Sequence, residues 1–215
     1  MRFSIIVSIL CFGLITLPIQ AQIVEGKVGY KIEASIDNSD VTEEVLMLQG
    51  STMDIYFIPK HARTDFVLGT MMQMVSVIDE DKGEVLTLMS GMIGKKAMRS
   101  TLDEMDNEIL ELSNPIVRLV DEKKEIAGIT CSKAILIDST GKETVIWYTP
   151  DIQMSARGQS FFNDHFPGFP LEFSTEKNGA LLTMSAYEVK SGLSNSEKEQ
   201  LFEMHVPEGY EEMPK

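Results

Sequence analysis

The sequence predicts a mainly β protein: a strongly curved antiparallel sheet, as an incomplete or complete barrel, with one or two short helices. Three observations predict it. Apolar and polar residues alternate with a period of two over much of the chain from Val24 onward. The alternating runs are separated by short polar turns, among them 79–83, 138–142 and Asn178-Gly179, so successive runs pair as hairpins. Helical signals are confined to brief stretches. Alternation leaves a curved sheet, a half-barrel and a closed barrel all open.

The elements follow in order. Residues 1–21 read as a secretory signal: Arg2, an apolar run from Ile5 to Leu17, Pro18, and a small residue at a cut after Ala21. Residues 22–215 then form a single antiparallel β domain. Phe3 to Val24 carries no charge and is long enough for a retained anchor, but Pro18, Gln20 and Gln22 interrupt that span. Cys11 is not a lipidation site, because Ser8-Ile9-Leu10 precede it and the apolar run continues past it.

Val24–Ile36 alternates, with Val28, Tyr30 and Ile32 on one face and Lys27, Lys31 and Glu33 on the other. Asp40–Leu48 leans to helix. Met53–Ile58 is a strand ended by Pro59-Lys60, and Ala62–Leu68 follows with Thr64, Phe66 and Leu68 on one face. Met71–Ile78 and Glu84–Met89 form a hairpin, and Lys95–Thr101 is a further strand. Leu102–Leu112 is acidic and reads as a short helix or an excursion. Ile129–Ile137 pairs with Glu143–Thr149, Arg157–Pro170 is a loop, and Leu171–Thr175 pairs with Leu181–Val189. Ser194-x-x-Glu197 is a capping box that starts a helix running to about Met204. The total is nine or ten strands.

Composition bounds function. The chain has 33 acidic and 19 basic residues, a net charge of −14, and the only charge in the leader is Arg2. So acidic a protein is unsuited to nucleic acid or to anionic headgroups, both of which demand a positive surface. Outside the leader Cys131 stands alone, so no intramolecular disulfide forms, and no Asn-x-Ser/Thr acceptor occurs. These features point to an exported bacterial protein, in the periplasm, at the outer membrane of a Gram-negative cell, or secreted.

No catalytic, cofactor or metal residue is assigned, and the chain is read as a non-enzyme. Cys131 lies within a strand with Lys133 two residues on, and reads as a small buried hydrophobe. There is no Gly-x-Ser-x-Gly elbow. His61, His165 and His205 lack the spacing of a zinc site, and Asp79-x-Asp81 lacks the glycine and glutamate of a calcium loop. Glu104, Asp106, Glu108 and Glu111 read as a solvated face. A hydrolase built on a non-local triad with His165 is a minor alternative.

The methionines carry more. The chain has 14, seven of them from Met71 to Met105. Methionine adapts its shape to irregular apolar partners. If the sheet curves, Phe66, Leu68, Met72, Met74 and Met89 line its concave side, and such a surface suits an acyl chain or hydrophobic peptide. The same residues would equally serve as core beneath a covering helix.

Three segments together resemble a known pattern: Lys124-Glu125-Ile126-Ala127-Gly128-Ile129-Thr130-Cys131-Ser132-Lys133-Ala134, Val145-Ile146-Trp147-Tyr148-Thr149-Pro150-Asp151-Ile152 and Gly168-Phe169-Pro170-Leu171, with Phe202–Tyr210 at the tail. In this order they resemble exported bacterial proteins of unknown function related to the GLPGLI group. The resemblance implies the fold of the periplasmic lipoprotein carriers LolA and LolB, an incomplete barrel closed by helices around an apolar cavity. It implies a lipid or a lipidated protein as partner and brings no catalytic residues, cofactor or metal. The alternative is a structural or protein-interaction module of the cell envelope.

Overall fold

The computed structural model describes residues 22–36, 47–92, 94–105, 116–155, 167–177 and 180–213. The signal segment and His165 lie outside them, as do the Asn178-Gly179 turn and most of Asp40–Leu48 and Leu102–Leu112. Of the last two segments, 47–48 and 102–105 are helical.

Twelve strands form one sheet. They are β1 (Gly26–Ile36), β2 (Thr52–Ile58), β3 (His61–Leu68), β4 (Met72–Asp79), β5 (Glu84–Gly91), β6 (Lys96–Thr101), β7 (Ile116–Ile126), β8 (Ile129–Ile137), β9 (Glu143–Thr149), β10 (Phe169–Lys177), β11 (Ala180–Ser191) and β12 (Glu211–Glu212). A short helix, α1 (Asn195–Leu201), precedes β12. The order across the sheet is β12-β6-β5-β4-β3-β2-β1-β11-β10-β9-β8-β7. Two meanders, β2–β6 and β7–β11, are thus joined through β1. All pairings are antiparallel except β12 on β6. The sheet is open, with β12 and β7 at its ends.

The sheet is also curled. Three strand steps separate β2 from β10, about 14 Å in a flat sheet. Yet Phe57 and Phe169 stack with ring centroids 6.3 Å apart. Ile23 ahead of β1 and Ile152 after β9, also three steps apart, form a parallel bridge, through Ile23 N–H to Asp151 O at 2.7 Å and Gln153 N–H to Ile23 O at 2.9 Å. The curl buries the face that carries Val28, Tyr30, Ile55, Phe57, Ala62 and Ile78, which pack with Ile126, Cys131, Phe169 and Leu171 in one core. Each large apolar side chain removed from water here contributes about 1.5–3 kcal/mol. Tyr30 brings a hydroxyl into this core and satisfies it by donating to Pro170 O at 2.6 Å.

Two strands depart from the sequence reading. β7 was not expected, because Asp121–Glu125 is charged throughout and a bulge between Val120 and Lys123 breaks the alternation. β12 spans two residues and carries no pattern. Of the loop expected over 157–170, Phe169 and Pro170 belong to β10 and 157–166 lie outside the described residues. α1 has the expected capping box, with Ser194 and Glu197 bonded reciprocally, but stops at Leu201 rather than near Met204.

The stop at Leu201 releases a C-terminal strap across the outer face. Arg63 Nη1 donates to Leu201 O at 3.2 Å and Arg99 Nη2 to Met204 O at 2.8 Å. Met204, Val206 and Tyr210 cover the outer cluster of Val75, Leu86, Leu88 and Ala97. The strap ends as β12 on the β6 edge, where Lys96 pairs with Glu211.

Candidate ligand-binding face

Strand register decides which side chains share the inner face. One ladder runs Tyr30–Met53–Phe66–Met74–Met89–Lys96 across β1 to β6. The next runs Leu68–Met72–Gly91. Phe66, Leu68, Met72, Met74 and Met89 therefore stand together, on the same side as the buried Tyr30 and Phe57. All five are half-buried, neither sealed in the core nor fully exposed.

The two faces differ sharply in charge. Across β1–β6 the inner-face positions hold one charged residue, Lys96, at the last strand but one of the sheet. The outer-face positions of the same strands hold nine: Lys27, Lys31, Glu33, Asp54, Arg63, Asp65, Asp79, Glu84 and Arg99. Many are paired there. Lys27 Nζ lies 2.8 Å from Glu188 and 3.2 Å from Asp54, beneath the rings of Tyr56 and Tyr187. Burial opposes its charge, but these two carboxylates outweigh burial and raise its pKa above the usual lysine value. Gly29 makes this packing possible, since a Cβ there would sit 2.7 Å from the Tyr187 ring.

Between the buried row Ala62–Ile78–Val85 and the ladder Phe66–Met74–Met89 lies a row of hydroxyls, Thr64–Ser76–Thr87. The sequence reading did not single out Ser76 and Thr87. The signal was there, because each lies two residues from a ladder methionine, Ser76 after Met74 and Thr87 before Met89, and period-two alternation places it on the same face. Lys96 was likewise missed as the cation at the ladder's end.

Cys131 is buried in the core. Burial, and next the nearby Glu172 carboxylate, push its thiol up to about 11. Lys133 does not activate it: its ammonium pairs with Glu122 at 3.0 Å and sits 5.7 Å from the centroid of the Trp147 ring. A thiol held protonated is a poor nucleophile. Among the described residues no group of three or more His, Cys, Asp or Glu side chains could hold a metal. Nor, among them, is any helix long and apolar enough to cross a membrane. A groove of about 560 Å³ opens elsewhere, lined by Lys142, Glu143, Val145, Ser174, Glu176 and Leu181. Val145 and Ser174 place it on the outer face, opposite Ile146 and Phe173, and its charged rim sets it apart from the methionine surface.

No family model and no curated protein matches the chain. Solved structures do. An uncharacterised conserved protein from Thermus thermophilus aligns with a TM-score of 0.50 and 13% identity, over 87% of this chain and 90% of that one. PNGF-II aligns at 0.48 and 13% identity, over 88% of this chain and 31% of that one, so the chain spans about a third of that protein's length. MucB, solved in complex with MucA(peri), aligns at 0.43 and 13% identity, over 81% of this chain and 53% of that one. The likeness to the Thermus protein is one of fold alone: a mainly β chain built on an open, curled antiparallel sheet.

Proposed function

We propose that this is an exported cell-envelope protein that holds an acyl chain, of a lipid or of a lipidated partner, against the inner face of its curled sheet. The observation that carries this reading is the segregation of charge: one charged residue on the inner face of β1–β6 against nine on the outer. A ladder of phenylalanine and methionine occupies the side that holds the single charge. Flexible, polarizable side chains accommodate an acyl chain without demanding one shape. The signal-like leader and the resemblance to the LolA and LolB carriers support the same reading, because lipidated cargo outside the cytoplasm must be shielded from water.

Native mass spectrometry of the folded protein, purified after export, tests this, followed by solvent extraction of any bound lipid. A bound lipid mass that disappears on denaturation is expected. A ligand-free protein that also takes up no acyl probe contradicts the reading.

A further inference from the structure

We infer that the inner face selects acyl chains whose polar end is uncharged, an ester rather than a free carboxylate, and that the Ser76 and Thr87 hydroxyls make this selection. The inference rests on the acyl-binding reading above and deepens it.

Ser76 and Thr87 lie directly opposite each other on β4 and β5. Both are half-buried, and neither hydroxyl has a hydrogen-bond partner among the described residues. They flank the ladder Phe66–Met74–Met89 at a distance of two residues along each strand, about 7 Å. An acyl chain on the ladder whose polar end turns onto the next row thus brings its ester group against these donors. A hydroxyl serves an ester carbonyl well, as one neutral hydrogen bond. It serves a carboxylate poorly, because an ion moved onto an apolar face needs a counter-charge or several donors.

The inner face of β1–β6 supplies no free counter-charge among the described residues. Its one cation, Lys96, is already paired with Glu211 of β12. The surrounding protein, at net charge −14, repels anions as well. Charge thus disfavours a free fatty acid, and the hydroxyl row favours an ester.

The test is fluorescence titration of the purified protein at pH 7.5 with a pyrene-labelled dodecanoic acid and with its methyl ester, on wild type, on Ser76→Ala/Thr87→Val and on Lys96→Ala. The ester is expected to bind about tenfold more tightly than the acid, the scale of one to two neutral hydrogen bonds. In Ser76→Ala/Thr87→Val, which keeps side-chain volume, ester affinity falls and the preference shrinks severalfold. Acid binding as tight as ester binding overturns this inference and leaves the acyl reading standing, all the more if Lys96→Ala selectively weakens the acid. An ester preference unchanged in the double variant overturns the hydroxyl assignment. Binding of neither probe overturns the acyl reading, and this inference with it.

Discussion

Phe57 of β2 and Phe169 of β10 stack at 6.3 Å although β1 and β11 lie between their strands. The pair measures the curl of the sheet. Both rings are almost fully buried, at 1% and 2% exposure. Phe57→Ala should cost about 3–5 kcal/mol, as core phenylalanine truncations do. If the stack holds the curl, Phe57→Ala and Phe169→Ala will be coupled. Urea unfolding of the double variant should fall short of additivity by at least about 0.5 kcal/mol. Full additivity would separate the two rings energetically.

Tyr30 lies in the same core as that stack, with its hydroxyl on the Pro170 carbonyl. Tyr30→Phe leaves that carbonyl without its donor and should cost about 1–3 kcal/mol at neutral pH. Burial also raises the Tyr30 pKa well above the usual tyrosine value, with the field of Cys131 adding to it. The sign follows from linkage. Below about pH 10 neither state loses the phenol proton, while above it the unfolded chain ionises and the folded one does not. Wild-type stability therefore falls as pH rises past about 10, and Tyr30→Phe lacks this contribution. The stability gap between the two proteins should narrow on the alkaline side; a constant gap would contradict the assignment.

Much of this architecture was legible in the sequence, and the limits are physical. The positions of Phe66, Leu68, Met72, Met74 and Met89 on one face followed from alternation alone, because β3, β4 and β5 pair without a bulge. β7 was hidden by its own bulge and by charges that suit an end strand. The curl was not legible, since alternation records which face a side chain takes and not how the sheet bends. The strap was hidden for a different reason: its apolar residues, Met204, Val206 and Tyr210, gain meaning only once Leu86 and Leu88 face outward to meet them.

The strap gives a further prediction. A chain ending at Leu193 loses α1, the strap and β12, uncovering Leu86, Leu88 and the β6 edge. It should lose at least about 3 kcal/mol, the worth of one or two buried apolar side chains, and should self-associate in size-exclusion chromatography, as bare strand edges do. A monomer as stable as the full chain would contradict the role given to the strap.

The β7–β8 turn holds a correctable strain. Ala127 has φ 49° and Gly128 φ 78°, the two left-handed positions of a tight hairpin. Only glycine, or a polar residue such as asparagine, takes that conformation readily. Ala127→Asn should raise stability by about 1 kcal/mol, the scale of the left-handed penalty it relieves, read as a higher midpoint in urea at unchanged slope. A loss of stability would contradict the strained turn.

On the reading proposed above, the inner face, with Met72 and Met74 at its heart, holds an acyl chain. The most direct measurement compares uptake of a fluorescent acyl ester by wild type, by Met72→Asp/Met74→Asp and by Val67→Asp, a charge placed on the neighbouring strand but on the outer face. Uptake should be saturable in wild type, retained in Val67→Asp and lost in Met72→Asp/Met74→Asp, with circular dichroism confirming that each variant folds. Uptake unchanged by the two inner charges, or absent from the wild-type protein, would contradict the claim.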